Sequence, residues 1–262
     1  MSRNPQAIPL LAGAFALATA AASAAPPAAP PPAGAALGAG AGHAIPVRGQ
    51  AWVEHEHDRV PLRAEMQLEA GDSLVTGAQS NAQLNMGDSA IFALQGDTTL
   101  RIDQYVAPQN DHDAAARSFY SLLRGGFRTV TGLIGKLGGQ SYQVATPMAT
   151  LGVKGTEYLA IICKASCFDP ENRMPLPDGL YEATLRGAVS MTNPAGSIVV
   201  GVGQAGYTPN NRTRPIILNK MPAFLIQAGA NLGFVSVDLD IRVKPPRIEP
   251  IPIPPEPPTS PS

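Results

Sequence analysis

The feature that most constrains this chain is a set of closely spaced turn signals. Gly71-Asp72-Ser73, Gly87-Asp88-Ser89 and Gly96-Asp97-Thr98 each suit a tight turn, because glycine accepts a positive φ and Asp bonds its own nearby backbone. The segments between them are short and read as strands. Asn81 to Met86 alternates, with Ala82, Leu84 and Met86 on one face and Asn81, Gln83 and Asn85 on the other, the period of a half-buried strand. A second echo places Arg-Gly ahead of strands: Arg48-Gly49, Arg124-Gly125 and Arg186-Gly187. Its spacing is too irregular for a strict solenoid period, but it predicts one strand-start geometry used more than once.

Helix signals are few. Ala114 to Leu123 could carry a short helical turn, although Phe119, Tyr120, Leu122 and Leu123 suit a strand equally well. Ala223 to Leu232 follows Pro222 and sets Phe224, Leu225 and Ala228 at helical spacing, so a helix is predicted there. Phe234 to Val243 then alternates, with Val235, Val237, Leu239, Ile241 and Val243 on one face, predicting a terminal strand.

The ends of the sequence behave differently. Arg3, an Ala-rich apolar stretch with Leu10, Leu11, Phe15 and Leu17, and Ala22-Ser23-Ala24 read as a signal peptide cleaved before Ala25. The competing reading, a membrane anchor, suits the run poorly, because it is short and breaks at Pro26-Pro27. No later segment is apolar enough over sufficient length to span a bilayer. Pro26 to Gly42 is Ala, Pro and Gly without charge, a linker that cannot bury enough surface to order itself. Pro245 to Ser262 reads as an extended proline-rich arm. The formal net charge of −1 supplies no basic footprint for nucleic acid.

Cys163 and Cys167 are the two cysteines of the chain. After an export signal an even count favours a disulfide. Four residues along a straight strand span roughly 13 Å, too far to bridge, so pairing requires a turn at Lys164-Ala165-Ser166. A metal pair would need further ligands nearby in sequence, and free or intermolecular thiols are the remaining alternative.

The most specific block runs from Tyr142 to Tyr158. It contains Thr146-Pro147, Ala149, and Gly152-Val153-Lys154-Gly155-Thr156. With Gly71-Asp72-Ser73-Leu74-Val75-Thr76-Gly77, Asp88-Ser89, Gly125-Gly126-Phe127-Arg128, Arg186-Gly187 and Gly203-Gln204-Ala205-Gly206, the chain resembles the FecR family over roughly residues 46 to 208. Lys154 stands where that family more often has Arg. The resemblance implies an envelope β domain, twisted, solenoid-like or sandwich-like. Family members that relay iron-uptake signals carry an intracellular anti-sigma segment and a membrane helix, which this sequence lacks. Anti-sigma activity and iron sensing are therefore not carried over. The motif positions expected to matter are Gly71, Asp72, Thr76, Gly77, Thr146, Pro147, Gly152, Lys154, Gly155 and Thr156.

Enzymatic signals are sparse. Glu54-His55-Glu56-His57-Asp58 would put His55 and His57 on one strand face, a possible start of a metal site. The alternative is a polar hairpin tip. Asp111-His112-Asp113 lies in a loop-like stretch. Gly201-Val202-Gly203-Gln204-Ala205-Gly206 matches G-x-G-x-x-G but no helix or βαβ unit follows it, so it reads as a strand turn.

The expectation is an all-β, twisted β-solenoid or sandwich-like FecR-type domain, followed by a short helix and a terminal strand, with disordered Pro-rich ends. Its divisions are a signal peptide (1–24), a linker (25–44), a FecR-like domain (45–208), a C-terminal extension (209–244) and a tail (245–262). The expected role is a non-catalytic periplasmic or secreted binding or signalling module. It would act through an envelope protein, with no cofactor, metal or nucleic acid. The alternatives are a structural or assembly factor of an envelope complex, and a metal-binding protein or enzyme using His55 and His57.

Overall fold

The structure, a computed structural model, describes residues 40–234 apart from 111, 138 and 139. The expected signal peptide, most of the linker, the strand from Val235 onward and the tail lie outside the described residues.

Seventeen strand segments and two helices follow in order. They are β1 Gly42–Arg48, β2 Ala51–His55, β3 Asp58–Pro61, β4 Met66–Leu68, β5 Ser73–Thr76, β6 Asn81–Met86, β7 Ile91–Leu94, β8 Thr99–Val106 and β9 Arg117–Val130. After α1, Leu133–Leu137, come β10 Tyr142–Ala145, β11 Thr150–Val153, β12 Glu157–Cys163, β13 Gly179–Arg186, β14 Ala188–Asn193, β15 Gly196–Gly201, β16 Ala205–Thr208, β17 Ile216–Ile217 and α2 Ala223–Asn231. The strands form a sandwich of two sheets. The first runs β4-β1-β6-β7-β9-β12-β13-β16-β17. The second runs β3-β2-β5-β8-β9-β10-β11-β14-β15. Pairing is antiparallel except between β9 and β10.

Strand β9 belongs to both sheets. Arg117 to Arg124 pairs with β8 in the second sheet, and Gly125 to Val130 with β7 and β12 in the first. The bend falls at Gly125, where φ is +73° and a Cβ would stand 2.5 Å from Thr98 Cα. Only glycine fits such a corner. The other two Arg-Gly pairs repeat it: Gly49 and Gly187 have φ of +71° and +73°. A buried hydroxyl stands beside each. Ser80 Oγ accepts from Gln50 N–H at 2.9 Å, Thr98 Oγ1 accepts from Gly126 N–H at 3.0 Å, and Thr156 Oγ1 donates to the Ala188 carbonyl at 3.2 Å. The reused strand-start geometry expected from sequence is therefore a hydroxyl-anchored corner.

The main core lies between the sheets. Ala82, Leu84 and Met86 of β6 face it, as their alternation predicts. Phe92, Tyr120, Phe127, Tyr142 and Tyr158 run through its centre with successive ring contacts between 4.8 and 5.7 Å. A smaller core covers the outer face of the first sheet. There Leu159, Ile161, Tyr181, Ala183 and Ala205 pack under Phe224 and Leu225 of α2. Residues of β12 are thus buried on both faces, Tyr158, Ala160 and Ile162 inward and Leu159, Ile161 and Cys163 outward. Cys163 and Cys167 form a disulfide with Cα atoms 5.3 Å apart, and Ala165 at φ +53° provides the turn the geometry demands.

Two sequence expectations need correction. Strand β1 starts at Gly42, inside the stretch read as linker, because Gly42 to Ala44 pair with both β4 and β6. The segment Ala114 to Leu123 has no helical turn; from Arg117 it is strand, because β8 and β10 flank it on both edges.

Candidate functional site

The family-motif side chains turn inward to their own backbone. Asp72 is buried and its Oδ2 accepts from Glu69 N–H at 2.8 Å. Thr76 Oγ1 donates to the Gln95 carbonyl at 2.6 Å, and Gly77 N–H to the Gln50 carbonyl at 2.9 Å. Thr146 Oγ1 donates to the Ala149 carbonyl at 2.7 Å, closing the turn that holds Pro147. Thr156 N–H donates to Thr131 Oγ1 at 2.8 Å. Gly71 and Gly155 have positive φ, and a Cβ on Gly152 would meet Ser190 Oγ at 2.8 Å. Lys154 is the one exposed charged side chain of this set. These groups shape turns and corners; they do not converge on a cavity.

The histidines separate. β2 and β3 form a hairpin closed by His55 and Asp58, with Glu56 at φ +52°. His55 Nδ1 lies 2.6 Å from Asp72 Oδ1, and that bond, with the Asp72 charge, raises the imidazole pKa. His57 is exposed at the tip. Among the described residues no three His, Cys, Asp or Glu side chains are placed to hold a metal ion. His112 lies in an exposed loop, its N–H bonded to Asn110 Oδ1. Gly201 to Gly206 is the β15–β16 turn, as its context in the sequence predicts.

Two of the buried carboxylates, Asp88 and Glu182, have raised pKa values. Burial raises Glu182 to about 8. One of its oxygens accepts from Thr184 Oγ1 at 2.8 Å and the other has no partner. Asp88 is also raised by burial, against the opposing pull of backbone N–H donors from Ile134 and Ala90. Neither reaches solvent, so neither can meet a substrate. A groove of about 860 Å³ runs between α2, the 95–97 turn and the disulfide loop, lined in part by Arg48, Asp97, Phe168 and Phe224. It brings together no pair of titrating groups poised for proton transfer.

What remains is a contrast at the sheet edges. At one end of the second sheet β3 reads Asp58-Arg59-Val60-Pro61, charged and closed by a proline that has no N–H. At the other end β15 reads Gly196-Ser197-Ile198-Val199-Val200-Gly201. It has no charge, no proline and three consecutive β-branched residues, Ile198, Val199 and Val200, that support strand pairing. A two-residue turn joins β14 to β15, with Asn193 opposite Gly196. That closing pair is hydrogen-bonded, so Ile198 and Val200 also bond inward, and Ser197, Val199 and Gly201 direct their backbone groups to the free edge. Gly201 is capped by Gln204 Oε1 at 2.8 Å. Val199 is 61% exposed. Nearby, the first sheet ends in β17, where Ile216 and Ile217 are also exposed, as is Val202 in the turn after β15.

Two arginines stand at the Gly196 end of this edge. Arg214 Cγ, Cδ and Nε lie 3.0–3.1 Å from where a Cβ on Gly196 would stand. Arg212 lines a small depression with Pro194 and Ala195 of the β14–β15 turn. The edge, Ile216, Ile217 and the arginine pair were not among the expected positions. One signal for them exists in sequence: no Asp or Glu occurs from Ala183 to Val237.

With this geometry in view, residues 72–166 match the model of the FecR protein family. The match lies inside the 46–208 span of the motifs. No curated protein matches the chain. Two crystal structures of a “putative anti-sigma factor” from Parabacteroides distasonis ATCC 8503 are similar to it, at 12% identity and TM-scores of 0.42 and 0.41. They cover 60% of this chain, which in turn spans 63% and 64% of theirs, a little under two thirds of their length.

Proposed function

We propose that this protein is a non-catalytic, extracytoplasmic FecR-like binding module that recruits an envelope protein by strand addition. The observation that carries this reading is the unguarded β15 edge, which offers outward backbone donors and acceptors beside exposed Val199, Val202, Ile216 and Ile217. An added strand takes its affinity from main-chain hydrogen bonds and its specificity from alternate side chains. The motif residues serve as the scaffold that holds this edge, and the export signal at the N-terminus supports a periplasmic or secreted location. Among the described residues no helix is long and apolar enough to cross a membrane.

The test is partner recovery after crosslinking in intact cells. Val199→Pro removes an outward N–H and leaves the β14 ladder intact. It is expected to abolish recovery while circular dichroism and melting stay near wild type. Arg59→Pro at the guarded edge is the control and should recover the partner normally. Full recovery with Val199→Pro would overturn the reading.

A further inference from the structure

The chemistry of the β15 edge specifies its occupant. A complementary strand needs one apolar, β-branched face and acidic residues toward Arg212 and Arg214, both of which are exposed. No acid of the 183–237 segment competes for them. One segment of this same chain has that pattern: Phe234-Val235-Ser236-Val237-Asp238-Leu239-Asp240-Ile241-Arg242-Val243. Its odd positions are apolar, and Asp238 and Asp240 interrupt them on the other face.

The fold also indicates which copy supplies it. Helix α2 is preceded by β17 at the open end. Its last turn lies over β9, where Arg128 donates to the Gly229 carbonyl at 3.0 Å and to the Leu232 carbonyl at 3.4 Å. β9 and β17 are four strand positions apart in the first sheet, or about 19 Å. Phe234, where the described residues end, thus lies near Arg128 of β9 and far from its own β15 edge, so a following segment would have to cross back over the sheet to reach that edge. The edge of a neighbouring molecule imposes no such return.

We propose that Phe234 to Val243 of one copy adds as a strand to the β15 edge of a second copy, with Asp238 and Asp240 paired to Arg212 and Arg214. This rests on β15 being the binding edge and names its partner as the chain itself. The contact is head-to-tail, so it builds open-ended chains unless a ring closes. It weakens with salt, because the ion pairs are exposed.

The experiment uses the mature full-length protein in sedimentation velocity across a concentration series. Wild type is expected to self-associate, less so in high salt. The double variants Arg212→Glu/Arg214→Glu and Asp238→Lys/Asp240→Lys should each associate at least tenfold more weakly. Mixed together they should regain association, because the acidic edge of one now meets the basic strand of the other. All four substitutions are at exposed or terminal positions, and a melting curve for each verifies folding. A wild type that stays monomeric at the highest concentration, or a mixture that fails to regain association, overturns the proposal. If Val199→Pro still abolishes capture of a different envelope protein in that case, the strand-addition reading survives and only the self-partner falls. If Val199→Pro leaves both self-association and capture intact, both readings fall.

Discussion

The two ends of the sandwich solve the same problem in opposite ways. At the β3 end, Arg59 stacks 4.3 Å from the Trp52 ring and approaches Glu54 at 3.5 Å, and Pro61 ends the strand. Charge and proline make pairing there unfavourable. The β15 strand itself carries neither charge nor proline, and apolar side chains flank the edge. The interiors differ as well. Asp88, a buried acid of the early half, is held by backbone N–H groups of Ala90 at 3.2 Å and Ile134 at 3.1 Å. Glu182, in β13 of the later half, has one hydroxyl donor and one unpartnered oxygen. The comparison teaches that the early half guards its edge strand and pairs the Asp88 carboxylate, although Ser118 Oγ and Tyr120 Oη of β9 have no partner there. The later half leaves an unguarded edge strand and one Glu182 oxygen without a partner.

The comparison can be broken hardest at the corners. In Gly187→Val a Cβ would stand 2.6 Å from the Gly155 carbonyl oxygen, at φ +73°. The later half should lose about 4 kcal/mol or more, the upper range for point changes. Gly155→Val meets only Lys136 Cγ at 3.8 Å and so suffers backbone strain alone, about 1–3 kcal/mol. Urea denaturation of the two variants tests the order; equal losses would mean that the corner contacts do not matter.

The next effect belongs to Glu182. Its folded pKa of about 8 lies above the ordinary value of 4.5. The folded state therefore holds a proton that the unfolded state releases between these values. The stability linked to this proton is full below pH 4.5 and is lost as pH rises through 8. Glu182→Gln should remove this fall, worth on the order of a few kcal/mol, and melt higher than wild type above pH 8. Asp88→Asn offers a contrast: it forfeits acceptors for backbone donors, so it should destabilise at neutral pH. A wild-type melting temperature flat from pH 5 to 9 would contradict the Glu182 account.

The smallest effect is that of the disulfide. Cys163→Ser/Cys167→Ser opens a loop with a sequence separation of only 4, so the loss should be at most about 2 kcal/mol. The loop packs against the α2 side of the later half, so hydrogen exchange should quicken there and stay unchanged in β2 and β3.

The local architecture was legible because its causes are local. Period two marks β6, Gly-Asp pairs mark turns, Pro222 precedes α2, and the repeated Arg-Gly marks corners that share one backbone conformation. The histidine cluster resolves to a hairpin tip for the same reason. β9 was ambiguous because its apolar spacing suits helix and strand alike, and strands distant in sequence decide between them. Edge status was illegible: Ser197 to Gly201 would have the same sequence in a central strand, and only the absence of a second neighbour among the described residues makes it an edge. The buried acids were hidden likewise, since nothing beside Glu182 in sequence announces its burial.

The most direct test of the account places a photo-crosslinking residue at position 199 or at position 60 and irradiates intact cells. These positions lie on the open and guarded edge strands of one sheet, and both native side chains are exposed, Val199 at 61% and Val60 at 45%. The account predicts a discrete protein adduct from position 199 and none from position 60. An adduct at position 60 alone, or at neither position while a partner is still recovered by general crosslinking, would contradict it.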